Sequence, residues 1–206
     1  YKDFFYIIPV ILLTNDTIYF SVKKWKDLIK DFKIETKKTR KVLHGIDHET
    51  FHPIPTIKRK GNQIITTASA DVPLKGLIYL IRAYAILLKE FPDLKLLVIG
   101  RLREGPTDQE LKKEGIKEKV KFISDLTGRQ IAELYAESTI AISPSVYEGF
   151  GFPAGEAMSC GIPLISTNGG SLPEVVGDAG IIVPHSNPKA LKDAIKSLLD
   201  SPEKRI

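Results

Sequence analysis

Cysteine is nearly absent from this sequence, which has one thiol, Cys160, in 206 residues. A single thiol excludes an internal disulfide framework and a cysteine-rich metal site. The four histidines lack neighbouring ligands at the spacing of a metal centre, so the sequence predicts no bound metal. We expect Cys160 to be a small buried apolar side chain rather than a catalytic thiol.

A long hydrophobic run is also missing. Residues 4–13 are strongly apolar, but this run is short and includes Pro9, whereas a membrane-spanning helix needs about 20 residues. The run has neither the basic flank nor the small-residue cleavage site of a signal peptide. We interpret it as a buried strand, with residues 10–14 in regular β conformation, and we predict a cytoplasmic protein.

The surplus of positive charge is confined to the first third of the chain. Residues 1–60 contain 13 Lys and Arg against 7 Asp and Glu, whereas residues 61–206 contain 17 against 18. An amphipathic helix over residues 19–32, with a solvated basic face, accounts for Lys23, Lys24, Lys26 and Lys30. The alternative is a peripheral contact with an anionic membrane surface or an anionic acceptor. No nucleic-acid-binding module accompanies these residues, so we expect no nucleic-acid partner.

The familiar nucleotide-binding loops are missing as well. A dinucleotide-binding Gly-x-Gly-x-x-Gly turn should follow the first strand of the repeating pattern described below, but that turn has no glycine before Gly76. No Gly-Lys-Ser or Gly-Lys-Thr phosphate loop occurs in the sequence. A nucleotide site in this chain must therefore be built in another way.

From residue 63 onward, strand-like runs alternate with helical segments. The predicted strands cover 63–67, 94–99, 120–123, 139–142, 163–166 and 180–183. Because these runs are apolar, they indicate an α/β fold with a Rossmann-like parallel sheet and helices on both faces. The helix predicted over 75–91 has one apolar stripe, formed by Leu77, Leu80, Ile81, Tyr84, Leu87, Leu88 and Phe91. Ligands of such sheets bind at the carboxyl ends of the strands.

The segment over 143–163, SPSVYEGFGFPAGEAMSCGIP, carries the most informative chemistry. We predict Glu148 in the loop after a buried strand and Glu156 in the first turn of a helix that begins near Pro153, with both acids facing one crevice. Carboxylates accept hydrogen bonds from vicinal sugar hydroxyls, and a helix N-terminus favours a phosphate. The glycines that leave backbone amides accessible to such a ligand are Gly149, Gly151 and Gly155.

Together these features predict a nucleotide-sugar site. Each acid also has a simpler explanation when it is taken alone. Glu156 would then merely favour the helix dipole, and Glu148 would be a solvated loop residue.

The segment over 148–183 is similar to the signature of the retaining glycosyltransferases of family 4, which have the two-domain GT-B fold. That signature is a Glu, seven residues and a second Glu, followed by Ala-Met, a Cys-Gly turn and Gly-Gly-x-Pro-Glu. The matching residues here are Glu148, Glu156, Ala157, Met158, Cys160, Gly161, Gly169, Gly170, Pro173 and Glu174. The resemblance extends from about residue 41 to the end of the chain.

The resemblance implies roles for these residues. Glu148 would contact donor-sugar hydroxyls near the reacting carbon as the catalytic residue, and Glu156 would contact the ribose. Lys75 and the turn formed by Gly149, Phe150 and Gly151 would hold the diphosphate, so no metal and no cofactor is implied. Glu174 is more simply an acid in the first turn of a helix.

Two further candidates lie at the same edge of the sheet. The family has an arginine six residues before the lysine, where this chain has Ser69. We expect Arg101 to substitute for that arginine as a phosphate contact, with a solvated loop position as the alternative. Ser124 is the candidate for a contact near the nucleotide base.

The resemblance also predicts the domain organisation. Residues 1–40 would be a remnant of the N-terminal, acceptor-side domain, 41–60 an interdomain linker and 61–206 the nucleotide-sugar-binding domain. The resemblance places His44 in the linker rather than in the catalytic machinery. The predicted function is sugar transfer from a nucleotide diphosphate sugar to an unidentified sugar, lipid or protein acceptor.

One restriction on the predicted function and two alternatives to it follow from the same residues. The chain would be inactive alone, because most of the acceptor-side domain is expected to lie outside it. A non-catalytic nucleotide-sugar-binding module is one alternative, and the serine at position 69 is the sequence feature that favours it. A GT-B nucleotide-sugar epimerase is the other alternative, which the paired glutamates disfavour.

Overall fold

The structure is a computed structural model that describes residues 13–14, 17–20, 33, 39–41, 44–68, 72–201 and 203. Two predictions fall outside this part of the chain. The basic helix predicted over 19–32 is outside it from residue 21 onward, and so is Ser69. Residues 13 and 14 of the predicted first strand are described and have β conformation.

A small sheet is formed by strands β1 (Leu13–Thr14), β2 (Thr17–Phe20) and β3 (Thr39–Lys41). Strand β2 pairs antiparallel with β1 and parallel with β3. The prediction that a helix begins at Tyr19 was wrong, because Tyr19 and Phe20 belong to β2. β-Branched and aromatic residues favour a strand, and pairing on both sides of β2 outweighs the helical spacing of the residues that follow.

The large sheet consists of parallel strands, in agreement with the predicted fold class. In the described chain they are β4 (Gln63–Thr67), β5 (Lys95–Ile99), β6 (Val120–Ile123), β7 (Ile140–Ser143), β8 (Leu164–Thr167) and β9 (Ile181–Val183). Their spatial order is β6, β5, β4, β7, β8, β9. Each predicted strand is present, and its ends differ from the prediction by at most one residue.

The connecting helices are α1 (Leu77–Leu87), α2 (Pro106–Lys113), α3 (Gly128–Glu137), α4 (Phe152–Ser159), α5 (Leu172–Val176) and α6 (Pro188–Asp200). In the part of the chain that the structure describes, the short 3₁₀ helices Pro73–Lys75 and Lys117–Lys119 accompany them. The helix predicted over 75–91 is shorter than expected, because Gly76 has a φ of 64° and separates the first 3₁₀ turn from α1. Within the described residues, no helix is both long enough and apolar enough to cross a membrane.

Buried side chains cover both faces of the large sheet. Neighbouring residues of β4 point to opposite faces, so Ile64 joins one apolar cluster and Ile65 the other. Helices α1 and α6 pack in the first cluster, and α3 and α4 pack in the second. Cys160 lies in the second cluster as a buried free thiol, which confirms its predicted packing role.

Residues 44–60 pack against the unit built on the large sheet. Phe51 is buried in the second cluster, and Ile46 and Ile54 pack beside it. The Thr50 side chain and the backbone amides of Thr50 and Glu49 donate hydrogen bonds to the Asp47 carboxylate, which lowers the pKa of Asp47. The segment that the sequence predicts to be a linker therefore has a defined conformation, while the division into domains stays a prediction.

A charged pair joins α1 to α2. The Arg82 guanidinium donates two hydrogen bonds to Glu110, with distances of 3.0 Å from Nε to Oε1 and 2.9 Å from Nη2 to Oε2. The Glu110 side chain is only 8% exposed. Its bonds with Arg82 lower the pKa of Glu110 from 4.5 to about 2. Two-point pairing of this kind stabilises the charged carboxylate and orients both helices.

We expect Glu110→Gln to reduce the free energy of unfolding by about 1.5 to 3 kcal/mol at pH 7, the usual contribution of hydrogen bonds to a charged group. Because the folded-state pKa is lowered, the pair stabilises the protein above pH 4.5. That stabilisation is lost as the pH falls from 4.5 toward 2. Urea unfolding followed by circular dichroism at pH 7, 4.5 and 3 would measure the difference between parent and variant.

The matched control is Glu133→Gln, because Glu133 pairs with Arg129 on the exposed face of α3. This variant should change stability by less than about 0.5 kcal/mol at each pH. If the effect of Glu110→Gln on the free energy of unfolding stays constant from pH 7 to pH 3, the charge of Glu110 does not contribute to stability.

Candidate active site

The order of the large sheet creates a switch point at the ends of β4 and β7, where sheets of this kind have a crevice. The chain passes from β4 to β5 and β6 at one edge, then returns to β7 on the other side of β4 and continues to β8 and β9. The loops after β4 and β7 therefore lead away from each other, and ligands of parallel α/β sheets bind at such a switch point. Lys75 follows β4 and Glu148 follows β7.

Lys75 and Glu148 form an ion pair in this crevice. The Lys75 ammonium contacts Glu148 Oε1, and the Ser145 hydroxyl donates a hydrogen bond to the same oxygen at 3.1 Å. The two side chains of the ion pair are 29% and 14% exposed, respectively. Partial burial reduces screening by water, so the charges interact more strongly than an exposed pair would. The site therefore presents a cation and an anion to any ligand that enters the crevice.

Glycines from two other loops fix the segment that carries Glu148. A Cβ atom on Gly76 would collide with the Pro144 carbonyl oxygen, and one on Gly169 would lie 2.5 Å from the Ser145 carbonyl oxygen. Gly170 has a φ of 62°, and a Cβ there would collide with the Glu148 carbonyl oxygen. These close backbone approaches require glycine at all three positions.

Hydrogen bonds hold the same segment in place. The Ser171 amide donates to the Glu148 carbonyl at 3.0 Å, and the Val146 amide donates to the Leu74 carbonyl at 2.8 Å. The Thr167 hydroxyl donates to the Ser145 carbonyl. The loop is thus bonded to the end of β8, to the segment that follows β8 and to the 3₁₀ turn that follows β4, which limits where the Glu148 carboxylate can lie.

Two of the glycines in the turn also have a packing role that the sequence did not suggest. A Cβ on Gly155 would lie 2.6 Å from Ile46 Cδ1, and a Cβ on Gly151 would lie 2.7 Å from Leu172 Cδ2. Both glycines therefore allow α4 and its first turn to pack against neighbouring segments. Gly151 also has a φ of 102° at the start of α4, a conformation that favours glycine.

Glu156 lies one turn deeper in the helix than predicted. Because α4 begins at Phe152, Glu156 is in its second turn. Its side chain is half-buried, and burial raises the pKa of the carboxyl. The Tyr135 hydroxyl lies nearby and is 3.0 Å from the Thr67 hydroxyl.

Burial and the nearby Glu156 carboxylate also raise the pKa of Cys160 to about 11, which keeps its thiol protonated at neutral pH.

Arg101 and Ser124 are brought together by an acid that the sequence analysis missed. Arg101 Nη2 lies 2.7 Å from Asp125 Oδ2, and the Ser124 hydroxyl donates to the same oxygen at 2.8 Å. Asp125 has a φ of 61°, an uncommon value that aspartate tolerates better than most residues. Its position two residues after β6, at the edge of the sheet where ligands bind, was only a weak signal in the sequence. The role proposed for Arg101 at a phosphate stays a prediction.

The side chain of Phe150 packs against the segment over 44–48. Its ring centroid is 5.0 Å from that of His44 and 4.8 Å from that of Phe152. The rings of His44 and Phe150 line a cavity of about 370 Å³ together with Ile46, Met158 and Val175. A contact between Phe150 and a diphosphate would therefore come from its backbone amide.

Comparisons with known proteins agree with this geometry. The sequence profile described as "Glycosyl transferases group 1" matches residues 48–206. The chain is also 38% identical over 183 residues to the MMP alpha-(1->4)-mannosyltransferase of Mycolicibacterium hassiacum, covering 85% of this chain and 43% of that protein. The chain belongs to the family of glycosyl transferases group 1.

Solved structures of glycosyltransferases have the same fold. The C-terminal domain of the group 1 protein LpcC from Francisella tularensis aligns with a TM-score of 0.64 and 26% identity, covering 77% of this chain and 90% of that one. Anabaena Alr3699/HepE in complex with UDP-glucose aligns with a TM-score of 0.77 and 20% identity, covering 92% of this chain and 56% of that one. The large sheet is therefore the Rossmann-like sheet of a GT-B glycosyltransferase, as the sequence predicts.

This chain spans less than half the length of the curated relatives that it matches. The matched region contains the Lys75–Glu148 pair, Glu156 and the Arg101–Asp125 pair. The comparisons assign no role to any of these residues, so their roles stay predictions.

Gly170→Ala tests the fixed position of the loop that carries Glu148. We expect it to cost about 1 to 2 kcal/mol for the left-handed backbone conformation and about 1 to 3 kcal/mol more for crowding against the Glu148 carbonyl. Gly115→Ala is the matched control, because Gly115 has a φ of 66° and open space around the position of a Cβ. Urea unfolding would measure the free energy of unfolding of both variants. Equal losses would show that crowding against the Glu148 carbonyl does not destabilise the protein.

Proposed function

We propose that this chain is the donor-binding part of a retaining glycosyltransferase, which moves a sugar from a nucleotide diphosphate sugar to an acceptor hydroxyl. The observation that carries the proposal is the Lys75–Glu148 pair at the switch point of the sheet. A diphosphate needs a cation, and a sugar needs hydrogen-bond acceptors for its hydroxyls. The pair supplies both groups in one crevice.

Stabilisation of the leaving diphosphate is the main contribution we assign to the site. Negative charge grows on the diphosphate as its bond to the sugar breaks, and groups already oriented toward that charge lower the barrier. The Lys75 ammonium and the backbone amides of Gly149, Phe150 and Gly151 are the groups proposed for this role. The turn leads into α4, whose N-terminus adds a partial positive charge.

The two glutamates have different proposed tasks. Glu148 would accept hydrogen bonds from the donor sugar near the reacting carbon, because its carboxylate lies beside the cation that holds the diphosphate. Glu156 would accept from the ribose hydroxyls, and its half-buried carboxyl suits a ligand that excludes water. Arg101 and Ser124 would contact a phosphate and the base region, respectively. The proposed reaction uses no metal and no cofactor, since the cation and the amides neutralise the departing charge.

Similar proteins support a nucleotide-sugar donor without naming it for this chain. The relative at 38% identity is named a mannosyltransferase, and the Anabaena neighbour was solved with UDP-glucose. We therefore propose a hexose donor. We also propose a cytoplasmic location, with the basic first third as a peripheral contact for an anionic membrane or acceptor.

Acceptor binding is proposed to require a part of the enzyme outside this chain. The chain spans less than half the length of its curated relatives. A sugar, lipid or protein acceptor would then approach from that other part, and the chain alone would bind nucleotides without transferring sugar. A non-catalytic binding module is the second candidate, favoured by the serine at position 69.

Nucleotide binding can be tested by thermal unfolding of the chain with UDP, GDP, ADP and TDP. At about 100 times its dissociation constant, a ligand stabilises the folded state by about 2.7 kcal/mol, which a melting curve resolves. We expect one diphosphate to raise the melting temperature, and Lys75→Ala and Glu156→Ala each to reduce that rise.

The control for lysine removal is Lys60→Ala, because Lys60 pairs with Glu137, which belongs to α3 rather than to the crevice loops. Lys60→Ala should leave the nucleotide effect unchanged. Absence of a shift with all four diphosphates would count against a nucleotide site in this chain.

Sugar transfer is the second test. The chain incubated with UDP-glucose or GDP-mannose should transfer no sugar. The enzyme that includes its acceptor-binding part should give a product with the anomeric configuration of the donor, which NMR would determine. Glu148→Ala should abolish that transfer and leave diphosphate binding intact. Transfer that survives Glu148→Ala, or a product of inverted configuration, would contradict the proposal.

A further inference from the structure

We propose that Ser145 is a positioning residue of the donor site, which holds the Glu148 carboxylate in place for the donor sugar while Lys75 engages the diphosphate. The inference rests on the proposed function and extends it to a residue without an assigned role. Its basis is the hydrogen bond of 3.1 Å from Ser145 Oγ to Glu148 Oε1.

The ion pair alone cannot keep Glu148 in position during binding. A bound diphosphate carries more negative charge than one carboxylate and competes for the same ammonium. The attraction between Lys75 and Glu148 is then divided between two anions. The Ser145 side chain is buried and already donates to Glu148, so its bond to the carboxylate persists when the diphosphate engages the ammonium.

The hydrogen bonds also distinguish the two oxygens of the carboxylate. Lys75 and Ser145 both contact Oε1 of Glu148. Among the described residues, Oε2 has no corresponding donor. With Oε1 held by the serine, Oε2 is left to accept a hydrogen bond from a hydroxyl of the sugar.

Ser145 is itself held firmly by the surrounding backbone. The residue is 3% exposed, and its carbonyl accepts a hydrogen bond from the Thr167 hydroxyl at the end of β8. Because Gly169 has no side chain, the loop after β8 comes within contact distance of the same carbonyl. The hydrogen bond from the end of β8 therefore holds Ser145 in place, and Ser145 in turn holds the Glu148 carboxylate.

A positioning role predicts a selective loss of affinity. Ser145→Ala should weaken binding of the nucleotide sugar about fivefold, the equivalent of one ordinary hydrogen bond. Binding of the corresponding diphosphate should change less than twofold, because it has no sugar for Glu148 to contact. Calorimetric titration with UDP-glucose and UDP, and with GDP-mannose and GDP, would measure both affinities on the same preparation.

Three further variants make the test specific. Ser143→Ala removes a buried hydroxyl at the end of β7 and should leave both affinities unchanged. Thr167→Val keeps the shape of the side chain but removes the bond to the Ser145 carbonyl, so it should show the same selective loss. In a Glu148→Gln background, Ser145→Ala should add little, because the serine acts through the carboxylate.

The possible results separate this inference from the proposed function. An equal loss for diphosphate and nucleotide sugar would overturn the positioning role, and so would a full Ser145→Ala effect in the Glu148→Gln background. If Glu148→Gln weakens nucleotide-sugar binding but Ser145→Ala does not, this inference alone fails. If the parent chain binds none of these ligands and shows no thermal shift with ADP or TDP either, the proposed function fails together with it.

Discussion

The ion pair between Lys75 and Glu148 is the interaction on which the candidate site depends. Its partners lie 73 residues apart in the sequence and meet because β7 is inserted beside β4. In water, an exposed pair of this kind contributes little. Here the pair is partly buried and its carboxylate is also bonded to a serine, so two opposite charges are kept in one crevice before a ligand arrives.

The backbone around this pair explains why the site can be preorganised. The segment over 144–148 has no regular secondary structure, yet its carbonyl groups accept hydrogen bonds from Thr167 and Ser171. Gly76, Gly169 and Gly170 make room for these close approaches. Since buried backbone groups must be paired, the loop is restricted almost as a strand would be. A rigid loop is suited to a site that stabilises charge, because little reorganisation is needed when the ligand binds.

Much of the fold was predictable because its signals are local. The six strands of the large sheet were identified from short apolar runs, and their ends were correct to within one residue. The errors have physical causes. Tyr19 was assigned to a helix from its spacing, but pairing with β3 makes it part of a strand. The start of α1 was placed too early, because the left-handed conformation of Gly76 was not anticipated.

The candidate site was predicted less completely. The motif around Glu148 and Glu156 identified the correct loop and helix, but the second glutamate lies a turn deeper than expected. Asp125 was missed, since a single acid after a strand has no distinctive pattern in the sequence. The packing roles of Gly151 and Gly155 could not be inferred either, because their partners, Leu172 and Ile46, come from distant parts of the chain.

The sequence by itself determined the α/β class, the positions of the strands and the family, because apolar periodicity and a continuous motif are properties of neighbouring residues. Only the tertiary structure decided the strand order, and with it the meeting of Lys75 with Glu148 and of Arg101 with Asp125. The physical reason is that pairing between strands depends on how distant segments bury their surfaces together. The composition of a segment does not specify which strand will lie beside it.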